Sequence, residues 1–182
     1  MISINKLKSY LELARVDKPI GIYLLLWPSM LGLLIAGTIN EIKTIDLLIV
    51  VIGSILVRSC GCVINDISDY KIDKLVSRTV GRPLATGALS IYEAWVFFLF
   101  LGLMSLSLLL FTNPLTIKVG IFFAIFIIFY PLTKRFFKAP QFFLGITFGS
   151  GSLISYSLVT SSPSLSIVIL YIGLIAWIIS FD

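Results

Sequence analysis

The 182-residue sequence contains no histidine. That excludes imidazole-based nucleophile activation, His-ligated metal centres and axial His ligation of haem in this chain. Cysteine is almost as scarce. Cys60 and Cys62 are two positions apart in an apolar run. On a helix their side chains point about 200° apart, so a local disulfide or a shared metal is not expected, and both read as small packing residues. Charge is also thin, at 13% of residues, about half the share of a soluble domain. A signal peptide pattern is missing: the first apolar segment is too long and lacks a small-residue cleavage site.

What is present is hydrocarbon-length apolar sequence. Hydrophobic residues make up 58% of the chain and recur in long runs, which identifies an integral membrane protein embedded in a lipid bilayer. A basic lead, residues 1–19, has Leu7, Leu11 and Ala14 at helical spacing and reads as a short interfacial helix. Six spans follow, at 20–37, 45–64, 94–111, 116–132, 142–159 and 166–181. Trp27-Pro28 marks a possible kink in the first. Gly145, Gly149 and Gly151 in the fifth allow close helix approach. Ser90 and Glu93 form a capping box that opens the third. The expected fold class is therefore all-α, a polytopic membrane helical bundle forming one domain over 1–182.

All Lys and Arg except Lys43, Arg58 and Lys118 lie in the N-terminal lead, the 65–93 stretch or the 133–140 loop. These segments alternate with poorly charged loops, so the basic side, with the N-terminus and the active site, is expected to be cytoplasmic. The net charge of +5 reflects that loop bias, and no nucleic-acid partner is expected.

The chain is organised around Asn65-Asp66-Ile67-Ser68-Asp69-Tyr70-Lys71-Ile72-Asp73. Asn65, Asp69 and Asp73 are spaced by four, so on a helix they share one face. Arg58, seven before Asn65, lies two turns back on the same stripe. Asp66 sits about 100° away. An amide beside two carboxylates one turn apart is a hard-oxygen set suited to Mg²⁺, which keeps positions for water and phosphate. Arg58 is the sharper signal, because a charge inside a span is rare and commonly functional. Arg78 and Arg82 are four apart, as are Tyr130 and Lys134, and Arg135 follows. With Mg²⁺ these cations form a neutralising cage for a polyanion such as diphosphate. With 14 Phe, 7 Tyr and 3 Trp, the remaining wall suits an isoprenoid tail. A transporter would instead scatter ionisable groups over several spans at midplane depth, whereas here they gather at one face.

The motif Asn65-Asp66-x-x-Asp69-x-x-x-Asp73, then Arg78-Thr79-x-x-Arg82-Pro83-Leu84 and Gly87, and Tyr130-x-x-x-Lys134, resembles the membrane-embedded aromatic prenyltransferases of the UbiA superfamily. Arg15-x-Asp17-Lys18-Pro19-Ile20-Gly21, Leu26-Trp27-Pro28 and Arg58-x-x-Gly61-Cys62-x-x-Asn65-Asp66 resemble its 4-hydroxybenzoate branch. The resemblance implies about nine spans around a central cavity and a bacterial cytoplasmic (inner) membrane location. It implies transfer of a polyprenyl group from a polyprenyl diphosphate to an aromatic acid acceptor, with Mg²⁺ as cofactor. The expected acceptor is 4-hydroxybenzoate, in ubiquinone biosynthesis. Haem B, dihydroxynaphthoate and homogentisate are the alternatives.

By the same resemblance, Asn65, Asp69 and Asp73 are the catalytic residues, and Asn65, Asp66, Asp69 and Asp73 are the metal-binding residues. Arg58 and Asn65 face the acceptor, and Arg78, Arg82, Tyr130, Lys134 and Arg135 face the diphosphate. The six spans match the family's first two thirds. A second Asp-x-x-x-Asp motif and three more spans are expected after Asp182, so the chain reads as truncated: a fragment, a shortened gene product or an inactive remnant.

Overall fold

The computed structural model describes residues 4–133 and 139–181. Its helices are α1 (Ile4–Leu13), α2 (Ile20–Gly37), α3 (Thr44–Asp73), α4 (Pro83–Thr86), α5 (Ile91–Leu108, ending in the 3₁₀ turn Leu109–Phe111), α6 (Pro114–Thr133), α7 (Pro140–Val159) and α8 (Leu165–Phe181). No strand occurs among the described residues. Among the described residues, five helical segments, Ile20–Gly37, Thr44–Asp73, Ile91–Phe111, Pro114–Pro131 and Pro140–Val159, are long and apolar enough to cross a membrane. The sixth apolar helix, α8, has 17 residues, the lower end of the spanning range.

The largest departure from the sequence-based boundaries is α3. The second span was placed at 45–64, yet the helix continues unbroken to Asp73, over 30 residues. At 1.5 Å per residue it is about 45 Å long, well beyond the roughly 30 Å hydrocarbon layer. One continuous helix can therefore cross the apolar layer and still present its acidic motif past its edge. Propensity allows this because the motif contains neither Gly nor Pro.

The N-terminal helix also differs in its packed face. Leu7 and Leu11 are about half exposed, while Leu13 and Ala14 are buried. Leu13 enters a core cluster with Val63 and Ile64 of α3 and Ala94, Phe98 and Leu101 of α5, and Tyr10 packs against that cluster with its ring 5.0 Å from Phe97. The Leu7 and Leu11 side is left outward, where an interfacial helix meets lipid. Lys6 pairs with Glu93. Glu93 also closes the expected capping box at α5: its carboxylate accepts from the Ser90 N–H at 2.9 Å, and Ser90 Oγ accepts from the Glu93 N–H at 3.2 Å.

α2 and α7 pack most intimately. Ser155 Oγ donates to the Ser29 carbonyl at 2.6 Å. Gly151 of α7 lies against the Ser29 side chain, and Gly32 of α2 lies against the Ser152 carbonyl. These are the close backbone approaches that small residues permit between membrane helices. Gly145 and Gly149 face α8 instead. At the end of the bundle away from the acidic motif, side-chain amides tie the helices together. Asn113 accepts from the Thr116 N–H at 3.0 Å, capping α6, and donates to the carbonyls of Ser157 and Leu158. Asn40 donates to the Val159 carbonyl at 3.0 Å. Both satisfy carbonyls that the end of α7 leaves open.

Gly32→Ala places a methyl group into the Ser152 backbone and forces α2 from α7. We expect a loss of about 1–3 kcal/mol, read as a lower thermal midpoint of the purified protein. Gly173→Ala, on α8 with nothing within 4 Å of the new atom, is expected not to destabilise.

Candidate functional site

The motif end of α3 opens on a cavity of about 600 Å³. One stripe of α3 forms its floor: Arg58, Gly61, Cys62, Asn65, Asp69, Ile72 and Asp73 all line it. This is the face on which the fourfold spacing places the amide and the two carboxylates. α2 contributes Leu24 and Leu25, α6 Ile127 and Tyr130, α7 Leu144, Thr147 and Phe148, and α8 Trp177 and Ile178. Arg15, Arg78, Thr79 and Arg82 come from the connections. Lys134 and Arg135 lie outside the described residues.

The 78–87 segment owes its shape to local chemistry. Thr79 is buried, and its hydroxyl donates to the Asp73 carbonyl at 3.0 Å, closing the end of α3. The chain then folds back. Arg82 takes an extended conformation as the N-cap of α4, and Pro83 occupies the first turn, where its missing N–H costs nothing. Leu84 is buried in the core cluster beside Leu13 and Val63. Gly87 ends α4 with φ 79°, a left-handed position that favours glycine. Together these residues anchor Arg82 over the acidic motif.

Arg82 Nη1 donates to Asp73 Oδ2 at 2.6 Å and to Asp66 Oδ1 at 3.1 Å. Asp66 Oδ1 also accepts from Arg15 Nη2 at 2.7 Å. Asp66 is 2% exposed and is absent from the cavity lining. The 100° offset from the cavity face turns this candidate metal residue into the wall, where two guanidinium groups compensate a buried carboxylate. Asn65, Asp69 and Asp73 remain as oxygen donors on the cavity side. Among the described residues no group of three or more His, Cys, Asp and Glu could form a closed metal cage. Two carboxylates and an amide on one face do fit a Mg²⁺ ion that takes its other ligands from water and phosphate.

Deeper along the stripe, the Arg58 guanidinium lies 5.6 Å from the centre of the Phe148 ring, within cation–π range. It also meets α2 at Gly21: a Cβ there would stand 2.6 Å from Nε and 2.7 Å from Nη2. Arg58 thus occupies a slot lined by a ring and a bare backbone. Cys62 is walled in beside the cavity and Cys60 packs in the core, both as free thiols. Arg15, Arg58, Arg78 and Arg82 outnumber Asp69 and Asp73 around the cavity, so the lining favours an anion. A second, mostly apolar cavity of about 120 Å³ shares Leu25, Val57 and Ile127 with the first.

Sequence reasoning placed Arg15 in the Arg15-x-Asp17-Lys18-Pro19-Ile20-Gly21 run without assigning it a site role, and it assigned none to Phe148, Thr147 or Trp177. The family-like run was the signal for Arg15. The α7 and α8 residues carry no local signature, because only helix packing brings them to α3.

The sequence model of the UbiA prenyltransferase family matches residues 25–182. The 4-hydroxybenzoate octaprenyltransferase of Shewanella loihica is 39% identical over 179 residues, covering 98% of this chain and 62% of that protein. That of Saccharophagus degradans is 41% identical over 177 residues, covering 97% and 58%. The chain thus spans about three fifths of the length of these curated relatives. Among solved structures, a digeranylgeranylglyceryl phosphate synthase superposes with TM-score 0.80 at 30% identity, over 97% of this chain and 61% of that one. A UbiA homolog from Archaeoglobus fulgidus bound to GPP and Mg²⁺ superposes with TM-score 0.76 at 19% identity, over 95% and 60%, which establishes the shared fold. A family match through nearly the whole cavity-bearing bundle, together with these relatives, makes the chain a member of the UbiA prenyltransferase family.

Proposed function

We propose that this chain carries the first diphosphate-binding motif and the acceptor anchor of a Mg²⁺-dependent transferase. It moves a polyprenyl group from a polyprenyl diphosphate to the ring of 4-hydroxybenzoate. The observation that carries the reading is the shared face of α3, where Arg58, Asn65, Asp69 and Asp73 line one cavity. The relatives' names supply the acceptor and the donor class, and the Archaeoglobus fulgidus homolog was solved with a prenyl diphosphate and Mg²⁺.

Asn65, Asp69 and Asp73 would hold Mg²⁺, which when bound neutralises charge developing on the leaving diphosphate. Arg78 and Arg82, beside them on the cavity, donate to diphosphate oxygens, and Lys134 and Arg135 are assigned to the same group. The prenyl chain runs from this polar end along Leu25, Val57 and Ile127 into the apolar cavity. Arg58 lies two turns deeper than Asn65 along α3 and binds the acid's carboxylate with its planar fork of donors. Asn65 orients the phenol ring so that the carbon ortho to its hydroxyl meets the prenyl carbon; the C–C bond forms as the allylic C–O bond breaks and diphosphate leaves, and a base then takes the proton from that ring carbon. Phe148, Trp177 and Tyr130 keep water from the electron-poor carbon and offer aromatic faces to it. By the positive-inside rule the motif end of the bundle is cytoplasmic, in a bacterial inner membrane.

Replacing Asp69 by Ala in the complete gene product is expected to lower Mg²⁺-dependent prenyl transfer by about 10²–10³ without loss of membrane insertion. Unchanged turnover would remove Asp69 from the metal site. Arg58→Leu relieves an insertion cost of at least about 2.5–3.5 kcal/mol, so it is expected to fold as well as the parent but to lose 4-hydroxybenzoate binding. Gly21→Ala, which pushes the guanidinium from its slot, is expected to raise KM for the acid while leaving KM for the prenyl diphosphate nearly unchanged. Loss of diphosphate affinity alone in the leucine variant would place Arg58 in the phosphate cage. Tags inserted after Asn40 or after Pro163 are expected to report the non-cytoplasmic side.

A further inference from the structure

Arg15 has backbone and side-chain features that the proposed reaction leaves unexplained. Its φ is 53°, the single left-handed non-glycine among the described residues. Val16 N–H donates to the Leu11 carbonyl and Arg15 N–H to the Glu12 carbonyl, both at 3.1 Å. This hydrogen-bond pair closes a helix through a left-handed residue, a position that strongly favours glycine. An arginine is strained there, and its side chain makes the shortest contact to the buried Asp66 carboxylate, 2.7 Å from Oδ1. The same oxygen holds Arg82 at 3.1 Å, while Arg82 uses the same nitrogen to reach Asp73 on the cavity face at 2.6 Å.

Asp66, buried at 2% exposure, needs positive charge beside it. With Arg15 in place that need is largely met by the shorter of the two contacts, at 2.7 Å, and Arg82 is shared with Asp73 at the cavity face. Without Arg15, Arg82 becomes the remaining partner in the ion-pair network, and the buried carboxylate draws it into the wall. We propose that Arg15 is a positioning residue for diphosphate binding, occupying Asp66 so that Arg82 stays available to the ligand. The proposal rests on the diphosphate role given to Arg82 above.

The test is calorimetric binding of geranyl thiolodiphosphate with Mg²⁺, and separately of 4-hydroxybenzoate, to the complete gene product. Arg15→Gly suits the left-handed backbone and removes only the side chain. It is expected to weaken thiolodiphosphate binding about tenfold, the loss of a hydrogen bond to a charged group, with 4-hydroxybenzoate affinity unchanged. Adding Asp66→Asn removes the charge that captures Arg82 and is expected to restore most of the lost affinity. A merely structural role would not produce that rescue. If Arg15→Gly does not fold alone, the double variant decides by comparison with the parent. The proposal is overturned if Arg15→Gly binds like the parent, or if the double variant stays weak, which would mean that Arg15 touches the diphosphate directly. A parent protein that binds no thiolodiphosphate overturns the diphosphate reading itself.

Discussion

One guanidinium nitrogen shared between two carboxylates holds the site together. Arg82 joins Asp66, inside the wall, to Asp73, on the cavity face. Both acids are on α3, one inside the bundle wall and the other at the helix end, and neither could be buried without compensating charge. The surrounding local structure serves that contact. Thr79 closes α3 and turns the chain, Pro83 starts α4 in register, and Leu84 fastens it to the core. A helix of 30 residues, longer than the hydrocarbon layer is thick, carries both acids at its motif end, and Asp73 lines the cavity there.

The two ends of the bundle are held by different chemistry. Away from the motif, neutral amides from Asn40 and Asn113 satisfy open carbonyls of α7. At the motif, ion pairs do the holding, and an ion pair can exchange partners when another anion or cation enters. Between the two ends, α2 and α7 approach through Gly32 and Gly151. The same two helices supply Gly21 and Phe148 beside Arg58. On the proposed reading, close helix packing sets the acceptor end of the cavity and ion pairing sets the diphosphate end.

Much of this was legible in the residues. Fourfold spacing put Asn65, Asp69 and Asp73 on one face, and the 100° offset separated Asp66 from them, although the sequence alone still counted it among the metal residues. The capping box at Ser90 and Glu93 and the small residues of α7 were readable because their chemistry is local. The fourfold spacing presumed a helix running to Asp73, as found, although falling hydropathy ended the span at Ile64. Two features were not legible. The docking face of α1 depended on Leu13, whose burial comes from α3 and α5. Arg15 was hidden because its position is normally glycine and its partner is 51 residues away.

The central claim is that one face of α3 supplies only part of a metal shell and that the diphosphate completes it. Calorimetry of the complete gene product, titrated with geranyl thiolodiphosphate in the presence and absence of Mg²⁺, tests this directly. The account predicts tight binding of the analogue only with Mg²⁺, and tight binding of Mg²⁺ only with the analogue. Equal affinity for the analogue in excess chelator, or tight Mg²⁺ binding without it, would contradict the account.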